Sequence, residues 1–214
     1  MIKVVHFIHG LNMGGAETLV KNYALLMDKT KFEVTVLCLN RENSPYEKLL
    51  EEAGIPVIYL RERMPWGNKK GLVAKCVNHY EFYFEVRRAL RKLNPDILHE
   101  HLELNQYVRF CRLPKKTCIF YTNHHTVERW EKDKADVCAM RKLIQTYPTK
   151  IIALTQKMKK EIDTLFGVND TAVLNNGIDL SQYDKCIDRN KKRKELGVPE
   201  SAFVVVHVGR FNPI

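Results

Sequence analysis

The stretch IKVVHFIHGLNMGGAETLVKNYALLM, residues 2–27, decides the fold. Its first seven residues form an apolar run that breaks at Gly10, Gly14 and Gly15, and apolar positions then resume at Leu19, Tyr23 and Met27 with helical spacing. Strand, glycine turn and helix in that order make the opening unit of a parallel α/β domain. A helix beginning near Ala16 leaves its first amide hydrogens unpaired and points the positive end of its dipole at the turn. Without β-carbons at Gly14 and Gly15, a phosphate can come within hydrogen-bonding distance of that backbone. Two better-known phosphate loops do not fit. A Walker loop needs Lys and then Ser or Thr after its last glycine, where Ala16 and Glu17 stand, and the dinucleotide fingerprint needs Gly-x-Gly-x-x-Gly. At this point a ligand-free strand-to-helix turn and an anion-binding turn are both open.

Outward from this unit the alternation continues. Residues 32–39 read as a second strand, 46–53 as a helix ending before Gly54, and 56–60 as a third strand. Residues 61–71, with Trp66 and Gly67, form a loop before a long helix over 72–93. Its apolar positions are read as Val73, Val77, Tyr80, Phe84 and Leu90, packed on the sheet, with Arg87, Arg88, Arg91 and Lys92 on the opposite face. Pro95 stops that helix. Residues 97–99 start a strand running into Glu100 and His101, 117–121 the next, leading into Thr122, Asn123, His124, His125 and Thr126. Residues 150–154 and 157–166 add a strand and helix, and 171–174 a last strand closed by Asn175, Asn176, Gly177, Ile178 and Asp179. Polar clusters at the carboxyl ends of parallel strands are where ligands of open α/β sheets bind.

The chain has 214 residues, 45% of them hydrophobic, enough for one large domain or one domain and part of another. No apolar run approaches the roughly 18 residues of a membrane span. With a strand at the very start and no export signal, the expectation is a soluble, cytoplasmic protein. The six cysteines are scattered without a C-x-x-C pair, which argues against zinc and against a disulfide framework. Lys and Arg total 35 against 25 acidic residues, a formal charge of +10. Such a domain is attracted to phosphates on nucleotides, anionic lipid headgroups or nucleic acid. The basic 72–93 helix and Trp66 suit a peripheral place at the inner membrane face, while solvated helix faces are the plainer account.

Beyond Leu180 the character changes. A charged helix over 185–196 precedes the apolar run 203–208, FVVVHV, which has the composition of a strand buried on both faces in a parallel sheet. The expected organisation is a Rossmann-like domain over residues 1–180 and, over 181–214, a linker helix and the first strand of an incomplete second domain. The chain reads accordingly as a fragment or early-terminated product. An unpaired apolar strand invites self-association.

These segments, in this order, resemble the N-terminal half of a retaining glycosyltransferase of family four, whose GT-B architecture sets two Rossmann-like domains face to face. The similar features are Gly14, Gly15, Ala16 and Glu17 after the opening strand, the PDILHEH stretch at 95–101, Thr122, Asn123 and His124, the KIIALT stretch at 150–155, the NGID turn at 176–179 and the final VVVHVGRF. The resemblance implies a Rossmann-like parallel sheet with helices on both faces, and transfer of a sugar from a nucleotide sugar to a glycan or lipid-linked acceptor. It implies no cofactor beyond that co-substrate. It places Gly14 and Gly15 on the donor diphosphate together with Arg210, and His124 beside the transferred sugar as the catalytic residue. His9, Asn12, His101, His125 and Asn176 are the further candidates to line the cleft. The lysine expected shortly after Arg210 and the family's donor-binding glutamates are not in this sequence, so the fragment alone is expected to be inactive.

A histidine suits the sugar-side position because its neutral ring both donates and accepts hydrogen bonds. His124 and His125 are adjacent, their side chains are expected to diverge, and His125 competes with His124 for the place in the cleft. His99 and His101 are read as alternating, so that only one faces the cleft and the other packs away. His6 is read as a satisfied core histidine. Gly177 is expected to supply a positive φ. No D-x-D pair is present, and no metal is expected. The alternative to an enzyme half is a non-catalytic homologue that binds a partner or a membrane. Nucleic-acid binding is not expected, because interleaved aromatics and a recognition motif are missing.

Overall fold

The computed structural model describes residues 1–65, 71–178, 180 and 187–207. Trp66, Gly67, Asp179 and Arg210, named above, lie outside the described residues. Seven strands are formed: β1 (Ile2–Ile8), β2 (Phe32–Cys38), β3 (Val57–Tyr59), β4 (Ile97–His101), β5 (Cys118–Thr122), β6 (Thr149–Ala153) and β7 (Ala172–Val173). They make one parallel sheet in the order β3-β2-β1-β4-β5-β6-β7. The chain steps outward from β1 to β3, then returns to the other side of β1 with β4. The sheet therefore reverses its winding between β1 and β4, which opens a crevice at their carboxyl ends.

The connecting helices are α1 (Gly15–Leu26), α2 (Pro45–Glu52), α3 (Leu72–Leu93), α4 (Asn105–Val108), α5 (Val127–Lys132), α6 (Lys134–Thr146) and α7 (Gln156–Phe166). Alternation along β1 assigns them to faces. Val4 and Ile8 join Ala16, Val20 and Ala24 of α1 and Leu50 of α2 in one apolar layer. Val5 and Phe7 join Val86, Ala89 and Leu90 of α3, Val108 of α4, Met140 and Leu143 of α6 and Ile162 of α7 in the other. Both faces are covered, as the class requires. Each fully buried Leu, Ile or Phe here contributes roughly 1.5–3 kcal/mol relative to an exposed one.

Helix starts follow local capping chemistry. Ser44 accepts the Glu47 amide at 3.3 Å ahead of Pro45, and Thr155 accepts the Met158 amide at 3.1 Å. Gly167, at φ 68°, closes α7 in the left-handed region.

Four expectations are corrected. The long helix has the expected span, but it buries Phe82, Val86, Ala89 and Leu90 and leaves Val73, Tyr80 and Phe84 exposed. Both stripes have helical spacing, and the sheet takes the one that continues through the C-terminal half of α3. The segment 127–146 holds two helices that the reading above does not include; α6 starts where Asp133 accepts the Asp136 amide at 3.0 Å. Gly177 is not in the positive-φ region. Residues 203–207 form no strand, and Phe203 and Val205 are 93% and 81% exposed. A strand draws its stability from a ladder partner and covered faces, and this run has no ladder among the described residues.

The chain divides into two compact units, Met1–Gly177 and Ile178–Ile214. In the second, α8 (Arg189–Glu195) is capped by Asp188, whose carboxylate accepts the Asn190 amide at 2.9 Å. Arg193 of α8 donates to the Pro199 carbonyl at 2.7 Å.

Candidate active site

The strand register builds a column of imidazoles. His6 of β1 stands opposite His99 of β4, and His101 opposite Thr122 of β5. Residues two apart on a strand point to the same face, so His99 and His101 lie side by side, with ring centroids 4.1 Å apart. This corrects the expectation that they part: Glu100, between them, is the residue that turns to the other face. His6 Nδ1 lies 3.3 Å from His101 Nε2, and His101 Nδ1 lies 3.1 Å from His124 Nε2. His99 Nε2 is 2.8 Å from Thr122 Oγ1. Tyr23 of α1 stacks on His6 at 5.8 Å.

The column runs from the core to the edge. His6, His99 and His101 are buried, and His124 is half-buried. His6 is only partly satisfied, because its Nε2 is buried with no partner among the described residues. Loss of solvent drives every one of these rings toward the neutral form. It pushes His6 and His124 down to about 4, with His125 adding to the effect on His124. His99 and His101 are held well below the ordinary range by the same burial, reinforced by their imidazole neighbours. A neutral imidazole has one N–H, so the direction of one bond in the chain His6, His101, His124 sets the direction of the next. Nε2 of His124 is engaged by His101, which leaves Nδ1 as the other hydrogen-bonding nitrogen of that ring.

Beside this column lies the glycine turn. Gly14 caps α1 in extended conformation without a side-chain acceptor, and its carbonyl receives the Thr18 amide at 2.9 Å and the Thr18 hydroxyl at 2.7 Å. Gly15 is exposed, and a β-carbon on it would meet nothing within 4 Å. A β-carbon on Gly14 would run into the Glu17 carboxylate, which folds back over the turn. The acid occupies the positive end of α1 in the way a bound anion would.

The remaining candidates separate into groups. His9 follows β1 and is exposed; desolvation lowers its pKa first, Glu103 raises it and Arg129 lowers it. His125 diverges from His124 and faces Glu103 at 3.7 Å, while Glu103 pairs with Arg129 at 3.0 Å. Asn123 pins this loop, donating to the His125 carbonyl at 2.9 Å. Asn12 is exposed in the turn. His101 is fully buried and stands behind His124. Asn176 follows β7 at the sheet edge, three strands beyond β4 and roughly 15 Å away at ordinary strand spacing. The sheet therefore brings Gly14, Gly15, His9, His101 and His124 to one edge and leaves Asn176 apart. Glu103, Arg129 and Tyr23 are additional members of this region; the period-two pattern of His99 and His101 was the signal that could have located the column.

A hollow of about 850 Å³ bordered by Thr126, Glu128, Arg141, Lys157 and Met158 lies along α7. None of the glycines or histidines above lines it.

The chain is 25% identical over 99% of its length to the protein named EpsF of Bacillus subtilis (strain 168), covering 55% of that protein. It is likewise 25% identical to the capsular polysaccharide biosynthesis glycosyltransferase CapH of Staphylococcus aureus, over 99% of this chain and 54% of that one. The chain thus spans about half the length of these curated relatives. Among solved structures, HepE of Anabaena in complex with UDP and glucose superposes with a TM-score of 0.65 at 18% identity, over 92% of this chain and 50% of that one. That likeness establishes the fold. The family model of glycosyltransferase family 4 matches residues 13–182, from the turn before α1 to beyond β7, and the chain belongs to that family.

Proposed function

We propose that this chain is the acceptor-side half of a glycosyltransferase that moves a sugar from a nucleotide-sugar donor to a glycan or lipid-linked acceptor, with retention of anomeric configuration. What supports the reading is that the α1 N-terminus follows β1 and His124 follows β5 at the carboxyl edge of a sheet that reverses its winding between β1 and β4, with His124 Nε2 3.1 Å from His101 of β4. Charge grows on the leaving diphosphate during transfer, and oriented amides stabilise it most at that moment. Gly15 supplies the open approach and His124 a neutral hydrogen-bonding ring for the sugar.

UDP is the first probe, because HepE is solved with it. In the active enzyme carrying this segment, Gly15→Ala is expected to weaken UDP binding about tenfold or more, the worth of one charge-assisted hydrogen bond. Stability should hold or rise, since the β-carbon has room and Gly15 needs no positive φ. Calorimetry and thermal unfolding read the two effects separately, and unchanged UDP affinity removes the turn from the donor site.

The proposal includes contact with an anionic membrane through α3. Val73, Tyr80 and Phe84 are exposed at helical spacing and continue into Arg87 and Arg91; Arg88 beside them is paired with Glu85 at 2.8 Å. Aromatic and basic side chains on one outward stripe match the headgroup region of a bilayer. Reversing Arg87 and Arg91 to Glu should weaken co-sedimentation with phosphatidylglycerol vesicles at least 30-fold, at about 1 kcal/mol per basic residue. Equal binding to phosphatidylcholine vesicles argues against a charge-read surface.

A further inference from the structure

We propose that His6, His99 and His101 form a three-imidazole binding site for a divalent transition ion of the zinc class. One ring nitrogen from each lies within 4.8 Å of a ring nitrogen of the other two. The separation of His6 Nδ1 and His101 Nε2, 3.3 Å, is long for a hydrogen bond. It matches the roughly 3.3 Å edge of a tetrahedron whose metal–nitrogen bonds are about 2.0–2.1 Å.

The surroundings are those of a metal site. A ligating histidine ordinarily gives its second nitrogen to a fixed partner, which sets the tautomer and aims the ring. His99 meets Thr122 at 2.8 Å through Nε2, leaving Nδ1 for the ion, and His101 meets His124 at 3.1 Å through Nδ1, leaving Nε2. His6 turns Nδ1 to the same point, and its Nε2 is the one second nitrogen of the three without a partner among the described residues. All three rings come from adjacent central strands in fixed register, so the donor set is held by the sheet and not by a loop.

The donor type selects the ion. Calcium and magnesium take oxygen ligands, whereas imidazoles suit zinc, copper and nickel. With no carboxylate in the triad, the ion keeps its full charge and takes a hydroxide or small anion in the fourth position. The missing D-x-D pair bears on carboxylate sites and not on this one. An ion on His101 Nε2 leaves the proton on Nδ1, which then donates to His124 Nε2 and fixes the tautomer of His124. That last consequence rests on the role proposed for His124; the site itself does not.

The test is titration of the chelator-treated chain with Co²⁺, followed by Zn²⁺. Expected are one saturating equivalent with the visible absorption of a tetrahedral Co²⁺ centre, and its displacement by Zn²⁺. His6→Gln and His99→Gln should each weaken binding by more than about 100-fold, beyond what loss of an outer partner costs. His79→Ala and His125→Ala should leave it unchanged. Binding that survives both Gln variants, or that disappears with His79→Ala or His125→Ala, overturns the proposal. Where a Gln variant fails to fold, the ring ¹⁵N spectrum of the unmodified chain decides. Zn²⁺ must shift the resonances of His6, His99 and His101 to metal-bound values, and an unchanged spectrum refutes the site. None of these readouts involves sugar transfer, so failure here is distinguishable from failure of the transferase reading.

Discussion

Replacing His124 with Ala in the active enzyme is expected to lower kcat about 10²- to 10³-fold while secondary structure by circular dichroism stays the same. The size is that of one preorganised hydrogen-bonding group removed from a developing charge. Burial holds the ring at a pKa of about 4, so at neutral pH it is uncharged and has one donor and one acceptor. His101 occupies Nε2 at 3.1 Å, which fixes the ring plane and leaves Nδ1 for the proposed role. A group already oriented before the reaction costs no reorganisation at the transition state. The neighbouring His125→Ala is the internal control. Its ring is directed to Glu103 at 3.7 Å, so its removal should change kcat less than about tenfold. Full turnover in His124→Ala, or an equal loss in both variants, removes the assigned role. A modest fall in unfolding stability in His124→Ala is consistent with leaving the buried His101 Nδ1 unpartnered, about 1–3 kcal/mol.

The parallel sheet was legible because its central strands are short continuous apolar runs ending in polar clusters, and because the glycine turn marks where the first strand hands over to a helix. Helix α3 shows why a correct span does not give a correct face. Its N-terminal stripe of Val73, Tyr80 and Phe84 and its C-terminal stripe of Phe82, Val86 and Leu90 both satisfy helical periodicity, and the choice between them is made by the sheet. The 127–146 segment escaped because its apolar residues are interrupted by charges. Asp136 is nevertheless buried there against Asn105 at 2.9 Å, a tertiary pairing no local pattern reports. Residues 203–207 failed in the opposite sense: strong strand composition without a ladder partner among the described residues does not make a strand. At the candidate site, His124 is singled out by its place after a strand and by the family resemblance. The column behind it depends on the β1 to β4 and β4 to β5 register, which joins residues 6, 99, 101 and 124 across more than ninety positions of sequence.

Trp130→Ala should destabilise the chain by about 3–5 kcal/mol, at the upper end of core truncations. Trp130 is 1% exposed and is the anchor of α5, the helix that leaves the His124 loop. Its ring lies 4.9 Å from Tyr121 on β5 and 4.7 Å, edge-on, from Phe166 on α7, so one side chain ties three elements together. For a domain of this size the loss corresponds to a Tm lower by roughly 10 °C. Trp130→Phe keeps an aromatic body on both neighbours and should recover more than half of the stability. The surroundings add a pH signature. Near Tyr121, burial pushes Asp136 up to about 6, and oxygens of Glu100 and Asp136 are buried without partners among the described residues. Between the ordinary carboxyl value and about 6 the folded chain holds the Asp136 proton that the unfolded chain releases, so stability falls as pH rises through that window. Trp130→Ala leaves the Asp136–Asn105 bond at 2.9 Å in place, so parent and variant should both lose stability between pH 4 and pH 6. Chemical denaturation across that range measures both effects; a gap below about 1 kcal/mol at every pH would show that α5 is not anchored through Trp130.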